Sequence, residues 1–332
     1  MKFDFITIGG ATEDMTFYTR EGVVVDNKKD ILKQKLLAFE YGAKLQVDNG
    51  YSTFGGGAAN AAVCLSLLGL KAAGLVAVGD DSRGTYIIDN LKKKGVNTSL
   101  VKKIPGASSG FSFLIAGPQN EHVVFSHRAA NEKLNIDAND LKKLKQTDWI
   151  YLTSLSGNWQ GVLAKVFSLN NIKIAWNPGH VQLHRGVKVL GKYFKKTEVL
   201  IVNKDEALEL VVSSGKYNRH NGKFLDDVKN LLKIIKEWGP RTVVITSGKD
   251  GVDVYDGRNL YHQNIIKEKK RINTTGVGDA FGSSFSAGLK IFKGDVKKAM
   301  YMGVYNTASV VGSMGAQSGL LTRKEMMKKI AK

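Results

Sequence analysis

The residue best suited to chemistry is Asp279, which stands where a helix is predicted to begin. Gly276 and Gly278 precede it, and apolar residues recur at four-residue spacing from Phe281 onwards, as on the buried face of a helix. Backbone amides in the first turn of a helix lack partners within the helix and carry partial positive charge, which suits a phosphoryl group. An ionised carboxylate beside them can accept a hydroxyl proton. The alternative is that Asp279 only caps the helix.

Three consecutive glycines open a second predicted helix. Residues 55–57 precede Ala58, and the absence of side chains lets the backbone approach a ligand closely. The run is not a dinucleotide-binding fingerprint, because Asn60 stands where that fingerprint has its third glycine. Binding of a small ligand and a tight entry into the helix are both consistent with the pattern.

Asn203 and Glu206 stand where the predicted strand 199–202 meets a helix. Both side chains can face the carboxyl edge of a parallel sheet, where open α/β sheets bind ligands. Oxygen ligands of this kind suit a hydrated Mg²⁺ that is held mainly through phosphates. Capping of the helix is the alternative for this pair.

Other motifs lack the context that their chemistry needs. Residues 106–110 match the GxSxG pattern of hydrolases, but a run with β-type alternation follows, which predicts a loop entering a hairpin. His180 and His184 are four residues apart without a third metal ligand, so we expect packing or surface roles. No Gly-Lys pair is followed by Ser or Thr, which excludes a Walker A loop.

The elements that must position these residues alternate along the chain. Short, continuous apolar runs predict strands buried on both faces of a sheet; they span residues 3–8, 72–78, 149–152, 172–176, 199–202 and 242–246. Apolar residues at three- and four-residue spacing predict helices over residues 58–68, 84–94, 205–212 and 225–238. The alternation indicates an α/β fold with a doubly wound, mainly parallel sheet flanked by helices.

Some segments instead show a two-residue period. Residues 41–48 alternate between apolar and polar, and residues 111–115 and 122–125 flank a turn of Gly117 to Asn120. We interpret them as a half-exposed antiparallel sheet that forms a small subdomain beside the main one.

Composition excludes several classes of protein. The 332 residues include 49 Lys plus Arg against 30 Asp plus Glu, a net charge of +19, yet only nine of the cations are Arg. A surface rich in Lys, without a nucleic-acid-binding motif, argues against nucleic acid as a partner. Cys64 is the only cysteine, which indicates a reducing compartment, and no run resembles a signal peptide or a membrane span. We therefore expect a cytoplasmic protein.

Taken together, the motifs resemble those of the ribokinase or PfkB family of ATP-dependent sugar and nucleoside kinases. The stretches that carry the resemblance follow the family's order over nearly the whole chain: residues 55–63, 79–84, 95–98, 246–251, 273–281 and 315–316. The resemblance implies one ribokinase-like domain over residues 1–332. It also implies a β-sheet lid, formed by about residues 15–52 and 108–128, that closes over the sugar. The exposed edges of such a lid sheet favour pairing between protomers, which is consistent with a homodimer through the lid as well as with the monomers known in the family.

The resemblance also implies a role for each residue that matches a family motif. Asp279 would be the general base, and the amides of Gly276, Val277 and Gly278 would stabilise the transferring group. The remaining assignments are substrate binding by Asp14, Gly56, Gly57 and Asn60; Mg²⁺ and phosphate binding by Asn203 and Glu206; and ATP binding by Thr246, Gly248, Gly251 and, near adenine, Asn306.

Substrate class and cation dependence follow less directly. The leading hypothesis is a kinase that phosphorylates a hydroxyl of a small sugar; a nucleoside kinase is the second, and a non-catalytic sugar- or nucleotide-binding relative the third. Gly57 stands where ribokinase-type motifs often carry Lys. Asn273 replaces an Asp that in many family members belongs to a monovalent-cation site, so we expect K⁺ to have only a weak effect.

Overall fold

The fold is built around a large, mostly parallel sheet, seen here in a computed structural model. It describes residues 2–26, 35–116, 122–217, 222–267 and 274–331. The strands are β1 (Phe5–Ile8), β2 (Thr12–Tyr18), β3 (Val23–Asp26), β4 (Lys35–Ala38), β5 (Asn49–Gly55), β6 (Ala72–Leu75), β7 (Ala77–Gly79), β8 (Lys102–Ile104), β9 (Phe111–Ala116), β10 (His122–His127), β11 (Trp149–Leu152), β12 (Lys173–Trp176), β13 (Val199–Asn203), β14 (Thr242–Thr246), β15 (Val252–Tyr255) and β16 (Leu260–Gln263).

Helices cover both faces of this sheet. They are α1 (Gly57–Leu67), α2 (Ser82–Lys93), α3 (Ala138–Leu144), α4 (Trp159–Phe167), α5 (His180–Leu183), α6 (Gly186–Phe194), α7 (Lys204–Val212), α8 (Gly222–Asp226), α9 (Val228–Glu237), α10 (Val277–Ile291), α11 (Val296–Val311) and α12 (Arg323–Ile330). None of the helices in the described ranges is both long enough and apolar enough to span a membrane.

The large sheet has the strand order β16-β15-β14-β13-β12-β11-β1-β6. All pairs are parallel except those of β15 with its two neighbours. Successive residues of a strand belong to different cores: Phe5 is part of the core that includes residues of α1, α10 and α11, whereas Ile6 is part of the core that includes residues of α4, α6 and α9. This topology confirms the prediction of a doubly wound, mainly parallel sheet. The prediction was possible because strands buried on both faces must be apolar throughout.

Small residues let α10 pack closely against its neighbours. A Cβ on Gly282 would overlap the hydroxyl of Tyr151 in β11, and a Cβ on Gly288 would lie 2.5 Å from Cα of Ala299 in α11. Larger side chains at these two positions would push α10 away from the sheet or from α11. The two glycines therefore set the distance of α10 from the sheet and from α11, and so help to position its first turn.

A second sheet, here called the small sheet, stands beside the large one. Its order is β10-β9-β2-β5, and β3 pairs with β4 in a separate antiparallel two-stranded sheet. The small sheet is not purely antiparallel as expected, because β2 and β9 run parallel. Both strands enter it from the main body, β2 after β1 and β9 after β8, and so point the same way.

Two predicted segments differ in the structure, and a third lies outside the described residues. No strand forms over residues 41–48, because these residues are almost all exposed and their alternation has no face to bury. The helix expected over residues 225–238 is divided at Asp227, whose side chain caps α9. The turn of residues 117–120 lies outside the described residues.

Candidate active site

Asp279 lies in the first turn of α10, which begins at Val277. Gly276 precedes the helix in the left-handed conformation, with φ of 75°, and a Cβ there would overlap Cβ of Ala316. A side chain at residue 276 is therefore disfavoured by backbone strain and by lack of space. At Gly278, by contrast, a Cβ would meet no described atom within 4 Å. The first turn thus faces open space at Gly278, whereas at Gly276 it packs against Ala316.

The carboxylate of Asp279 is oriented by Asn60. Nδ2 of Asn60, in α1, donates to Oδ2 of Asp279 at 2.9 Å. Burial raises the pKa of Asp279, the hydrogen bond from Asn60 opposes that rise, and the charge of Asp14 adds to it. Oδ2 of Asp14 lies beside Gly55 and Oδ1 of Asp279 beside Gly57, so the two predicted carboxylates approach the same short segment of the chain.

Asp14 lies in β2, the strand of the small sheet between β9 and β5, and its side chain is buried. Oγ1 of Thr12 donates to Oδ1 of Asp14 at 3.0 Å. A Cβ on Gly55 would overlap Oδ2 of Asp14, so this glycine makes room for the carboxylate. Burial raises the pKa of Asp14, and a hydrogen bond from Ser112 opposes that rise.

The glycines before α1 serve two purposes. Gly56 has φ of 87°, and a Cβ there would lie 2.5 Å from the carbonyl oxygen of Gly10, which accepts from the amides of Ala58 and Ala59 at 3.2 Å each. This supports the tight-entry interpretation for Gly56. A Cβ on Gly57 would lie 2.9 Å from Cβ of Thr153 and 3.2 Å from Oδ1 of Asp279, so a side chain at residue 57 would crowd that oxygen.

Two positioning contacts in this region have no signal in the sequence. Asn131 is buried; its Oδ1 accepts from the amide of Ala11 at 2.9 Å, and its Nδ2 donates to the carbonyl of Ala11 at 3.0 Å. This pair of bonds holds the connection between β1 and β2, which leads to Asp14. Gln317 is also buried, and its Nε2 donates to Oδ1 of Asn60 at 2.9 Å.

Asn203 and Glu206 form a capping box at the start of α7. Oδ1 of Asn203 accepts from the amide of Glu206, and Oε2 of Glu206 accepts from the amide of Asn203, each at 2.9 Å. Capping therefore engages one oxygen of each side chain. Burial raises the pKa of Glu206. Thr246 pairs with Asn203 across β13 and β14, so both predicted motifs lie at the same sheet edge.

A magnesium ion fits this edge only with help from other ligands. Within the described residues, no group of three or more His, Cys, Asp and Glu side chains is placed to hold a metal. Mg²⁺ is commonly held by one or two protein oxygens, waters and the phosphates of a substrate. The oxygen donors of Asn203 and Glu206 are of the kind that such an ion uses.

The loop after β14 combines a tight backbone with an open flank. Gly251 has φ of 90°, a Cβ there would overlap the carbonyl oxygen of Gln263, and its own carbonyl accepts from Ser247 at 2.8 Å. Gly248 has φ of 54°, and a Cβ there would meet nothing described within 4 Å. The loop thus leaves space beside Gly248, two residues after Thr246.

Asn306 does not lie where it could contact adenine. Its side chain is fully buried, with Nδ2 donating to Oγ of Ser284 at 2.7 Å and to Sγ of Cys64 at 3.3 Å. Its Oδ1 accepts from the amide of Leu321 at 2.8 Å. The polar atoms of Asn306 are used to join α11 to α1, α10 and the segment before α12. The assignment of Asn306 as a nucleotide ligand is therefore wrong. Asn306 is a buried structural residue whose side-chain hydrogen bonds connect neighbouring segments.

His180, His184 and a large cavity lie outside this site. Both histidines are exposed and flank Glu209, at 3.9 and 3.4 Å, which agrees with surface roles. A cavity of 1320 Å³ opens at the amino ends of β11, β12 and β14 and contains none of the predicted site residues. It is lined by Lys145, Lys173 and other cations, so part of the positive charge lies at the edge of the sheet opposite the predicted site.

The chain belongs to the pfkB family of carbohydrate kinases, whose family model matches residues 23–323. It is therefore an ATP-dependent kinase that transfers phosphate to an alcohol acceptor. An ATP-dependent ribose-1-phosphate kinase of Halopiger xanaduensis is 25% identical over 265 residues, 80% of this chain and 82% of the relative. A ribokinase of Haemophilus influenzae is 26% identical over 296 residues, 86% of this chain and 90% of the relative.

Solved structures confirm the ribokinase-like fold. A nucleoside kinase of Methanocaldococcus jannaschii matches with a TM-score of 0.77 and 20% identity, covering 99% of both chains. The ribokinase of Arabidopsis thaliana, solved with ribose and ATP, matches with a TM-score of 0.79 and 17% identity, again over 99% of both chains.

Proposed function

We propose that this kinase transfers the γ-phosphate of ATP to a hydroxyl of a small sugar, with Asp279 as the general base. The observation that carries the proposal is the position of Asp279. Its carboxylate lies in the first turn of α10, is oriented by Asn60, and interacts with the charge of Asp14 across the site. A base, an anion-binding helix start and a second polar anchor are the parts that hydroxyl phosphorylation needs.

The proton of the acceptor hydroxyl would go to Oδ1 of Asp279. Oδ2 is engaged by Asn60, whereas Oδ1 lies beside the backbone of Gly57, in the glycine run assigned to substrate binding. Asp14 would accept a hydrogen bond from another hydroxyl of the sugar, with Gly56, Gly57 and Asn60 shaping the same pocket. Deprotonation at Oδ1 makes the acceptor oxygen a better nucleophile as it attacks the γ-phosphate.

The transferring phosphoryl group would be stabilised by the start of α10. The amides of Gly276, Val277 and Gly278 lie at the positive end of the helix, and the open space at Gly278 can admit a phosphate. Val277 replaces the alanine common in the family, and its backbone amide is the part that we assign to binding. Such preorganised donors are the main electrostatic contribution to phosphoryl transfer.

ATP would extend from this helix start towards β13 and β14. Thr246, Gly248 and Gly251 would line the nucleotide, and Asn203 and Glu206 would hold Mg²⁺ through their free oxygens or through water. Bound Mg²⁺ neutralises charge on the β- and γ-phosphates. The proposal for Glu206 adds to, and does not replace, its role in the capping box.

The small sheet would act as a lid. Asp14 lies on it, so a sugar held by Asp14 would be covered when the sheet approaches α10, and water that would hydrolyse ATP would be excluded. Apolar side chains exposed on this sheet and on the β3–β4 hairpin support a contact between two copies: Val23, Val25, Leu36, Val124 and Phe125. Light scattering coupled to gel filtration would test for the dimer.

A nucleoside kinase is the second candidate. The M. jannaschii structure is that of a nucleoside kinase, and a similar Burkholderia thailandensis structure contains inosine. Gly57 also stands where many ribokinase-type motifs carry Lys, which weakens the assignment as a ribokinase.

A coupled assay of ADP release over pentoses, hexoses, ketodeoxy acids and nucleosides would decide between these candidates. We expect the highest kcat/KM with a sugar. A preference for nucleosides would establish the second candidate, and no turnover with any acceptor would favour a non-catalytic sugar- or nucleotide-binding protein.

A further inference from the structure

Three amide side chains form a continuous hydrogen-bonded line from α2 to Asp279. Nδ2 of Asn90 donates to Oε1 of Gln317 at 2.9 Å, and Nε2 of Gln317 donates to Oδ1 of Asn60 at 2.9 Å. Nδ2 of Asn60 then donates to Oδ2 of Asp279 at 2.9 Å. Asn60 and Gln317 are 4% and 6% exposed, so water cannot readily replace either neighbour. Asn90 is half-buried on α2.

The line has a direction that the chemistry of its end dictates. An ionised carboxylate only accepts hydrogen bonds, so Asn60 must turn its NH₂ group towards Asp279. Its oxygen then faces Gln317, which must donate in turn and leaves its own oxygen for Asn90. Each amide can be reversed only if its neighbours are reversed too, and hydrogen bonds in such a chain polarise one another.

We infer that Gln317 and Asn90 are positioning residues, which hold Asn60 in the orientation that donates to Asp279 and keeps Oδ1 of the base directed to the acceptor. This inference rests on the proposed role of Asp279 as the general base. If Asn60 turned over, its oxygen would face the carboxylate, and the ionised form of Asp279 would lose a hydrogen bond and gain a repulsive neighbour. The base would then take up its proton at a higher pH.

Other titratable groups that interact with Asp279 do not reproduce this effect. They are Asp14 on β2, Cys64 on α1 and Tyr151 on β11. Burial raises the pKa of the Cys64 thiol and of the Tyr151 phenol, so both stay neutral near pH 7. Among the described residues that interact with Asp279, Asp14 is the other carboxylate, and its contacts with Thr12 and Ser112 lie outside the amide line.

The decisive variant is Asn90→Asp, which changes the outer end of the line and adds no bulk. A carboxylate at residue 90 can only accept, so Gln317 must turn its NH₂ group outwards and its oxygen towards Asn60. We expect the acidic limb of the pH profile of kcat/KM to move upward by about one pH unit, the scale of a lost hydrogen bond to a carboxylate. The KM for ATP should stay near its native value.

Two comparisons separate reversal of the line from other effects. Tyr86→Glu places an equal charge one turn earlier on α2, at a side chain that is 58% exposed, and should leave the pH profile unchanged. Gln317→Met removes the donor to Asn60 without adding charge and should shift the limb in the same direction. It also keeps the inference testable if Asn90→Asp does not fold. Native profiles for both Asn90→Asp and Gln317→Met would overturn the inference.

The test also distinguishes this inference from the proposed function. If Asp279→Asn keeps native turnover, the role of Asp279 as base fails, and the inference fails with it. If Asp279→Asn abolishes turnover while the Asn90 and Gln317 variants keep the native pH profile, the base assignment stands and only the amide line loses its function. Titration of the Asp279 carboxyl carbon by NMR, in native protein and Asn90→Asp, gives the same comparison without turnover.

Discussion

Nδ2 of Asn60 lies 2.9 Å from Oδ2 of Asp279, although 219 residues separate the two in the chain. The bond joins the first turns of α1 and α10, which pack side by side on one face of the large sheet. The bond fixes the orientation of the Asp279 carboxylate and, with it, the position of the proposed base.

Replacement of Asp279 by Asn should remove the base while keeping the size of the side chain. We expect kcat to fall by at least ~10², because general-base catalysis typically contributes about 10²–10⁴ in rate. ATP affinity, measured by calorimetry, should change little. Near-native turnover in the coupled ADP assay would refute the role of Asp279.

Asp14→Asn should stabilise the fold at neutral pH while weakening sugar binding. Burial raises the pKa of Asp14 in the folded protein, so the folded state holds this proton more tightly than the unfolded state does. The native protein therefore loses stability as pH rises from the ordinary aspartate pKa through the raised one. At pH 7 the Asp14→Asn variant should have a higher melting temperature than the native protein. The difference between the two melting temperatures should disappear as the pH falls below about 4. A constant gap would contradict the linkage.

Alanine should destabilise the fold at Gly276 but not at Gly278, the two glycines before Asp279. Gly276→Ala introduces a strained φ and an overlap with Ala316, so we expect the free energy of unfolding to fall by ~1–3 kcal/mol or more. Gly278→Ala meets no described atom within 4 Å and should melt like the native protein. Its methyl group would enter the space assigned to phosphate, so turnover should fall. Denaturant unfolding and the ADP assay, run on both variants, would reveal any other pattern.

Glu206→Gln should separate capping from metal binding. A glutamine side chain can still accept from the amide of Asn203, so the capping box and the melting temperature should be preserved. Loss of the negative charge should raise the Mg²⁺ concentration needed for half-maximal activity. An unchanged Mg²⁺ curve would leave Glu206 with its capping role alone.

Arg83 should couple the small sheet to the main body. Its Nε lies 2.7 Å from Oε2 of Glu13 in β2, and its guanidinium lies 4.5 Å from the ring centroid of Phe111 in β9. Both charged side chains are mostly buried, at 25% and 15% exposure. Arg83→Ala should loosen the sheet, raising the KM for the acceptor and increasing the ATP hydrolysed without acceptor. Arg83→Lys should restore little, since lysine lacks the planar fork. Unchanged hydrolysis in both variants would argue against coupling.

The large sheet could be predicted from sequence because its signal is local. The apolar runs of residues 149–152 and 242–246 coincide with β11 and β14, since strands buried on both faces must be apolar throughout. The first turn of α10 was likewise marked by its glycines and apolar spacing. Residues 41–48 show the limit: they carry a strand-like alternation, but their exposure leaves nothing to bury.

The supporting contacts of the site could not be predicted, because amide side chains leave no periodic pattern. Asn131 contacts Ala11 at a separation of 120 residues, and Gln317 contacts Asn60 at a separation of 257. Asn306 shows the opposite error: the residue was assigned to the nucleotide site, but it is a buried structural residue whose polar atoms bond to other parts of the protein. Only the folded packing of α1, α10 and α11 reveals which amides bond to which.

Asn60 is far in sequence from its hydrogen-bond partners Asp279 and Gln317, and this has a consequence during synthesis. Asp14 and Asn60 leave the ribosome early, whereas Asp279 and Gln317 emerge only when most of the chain has been translated. A nascent chain that has formed α1 and the small sheet still lacks the proposed base, Asp279, and Gln317, the residue proposed to orient Asn60. Phosphorylating activity should therefore arise abruptly, near the end of translation, and a stalled or prematurely terminated product should be inert and not partly active.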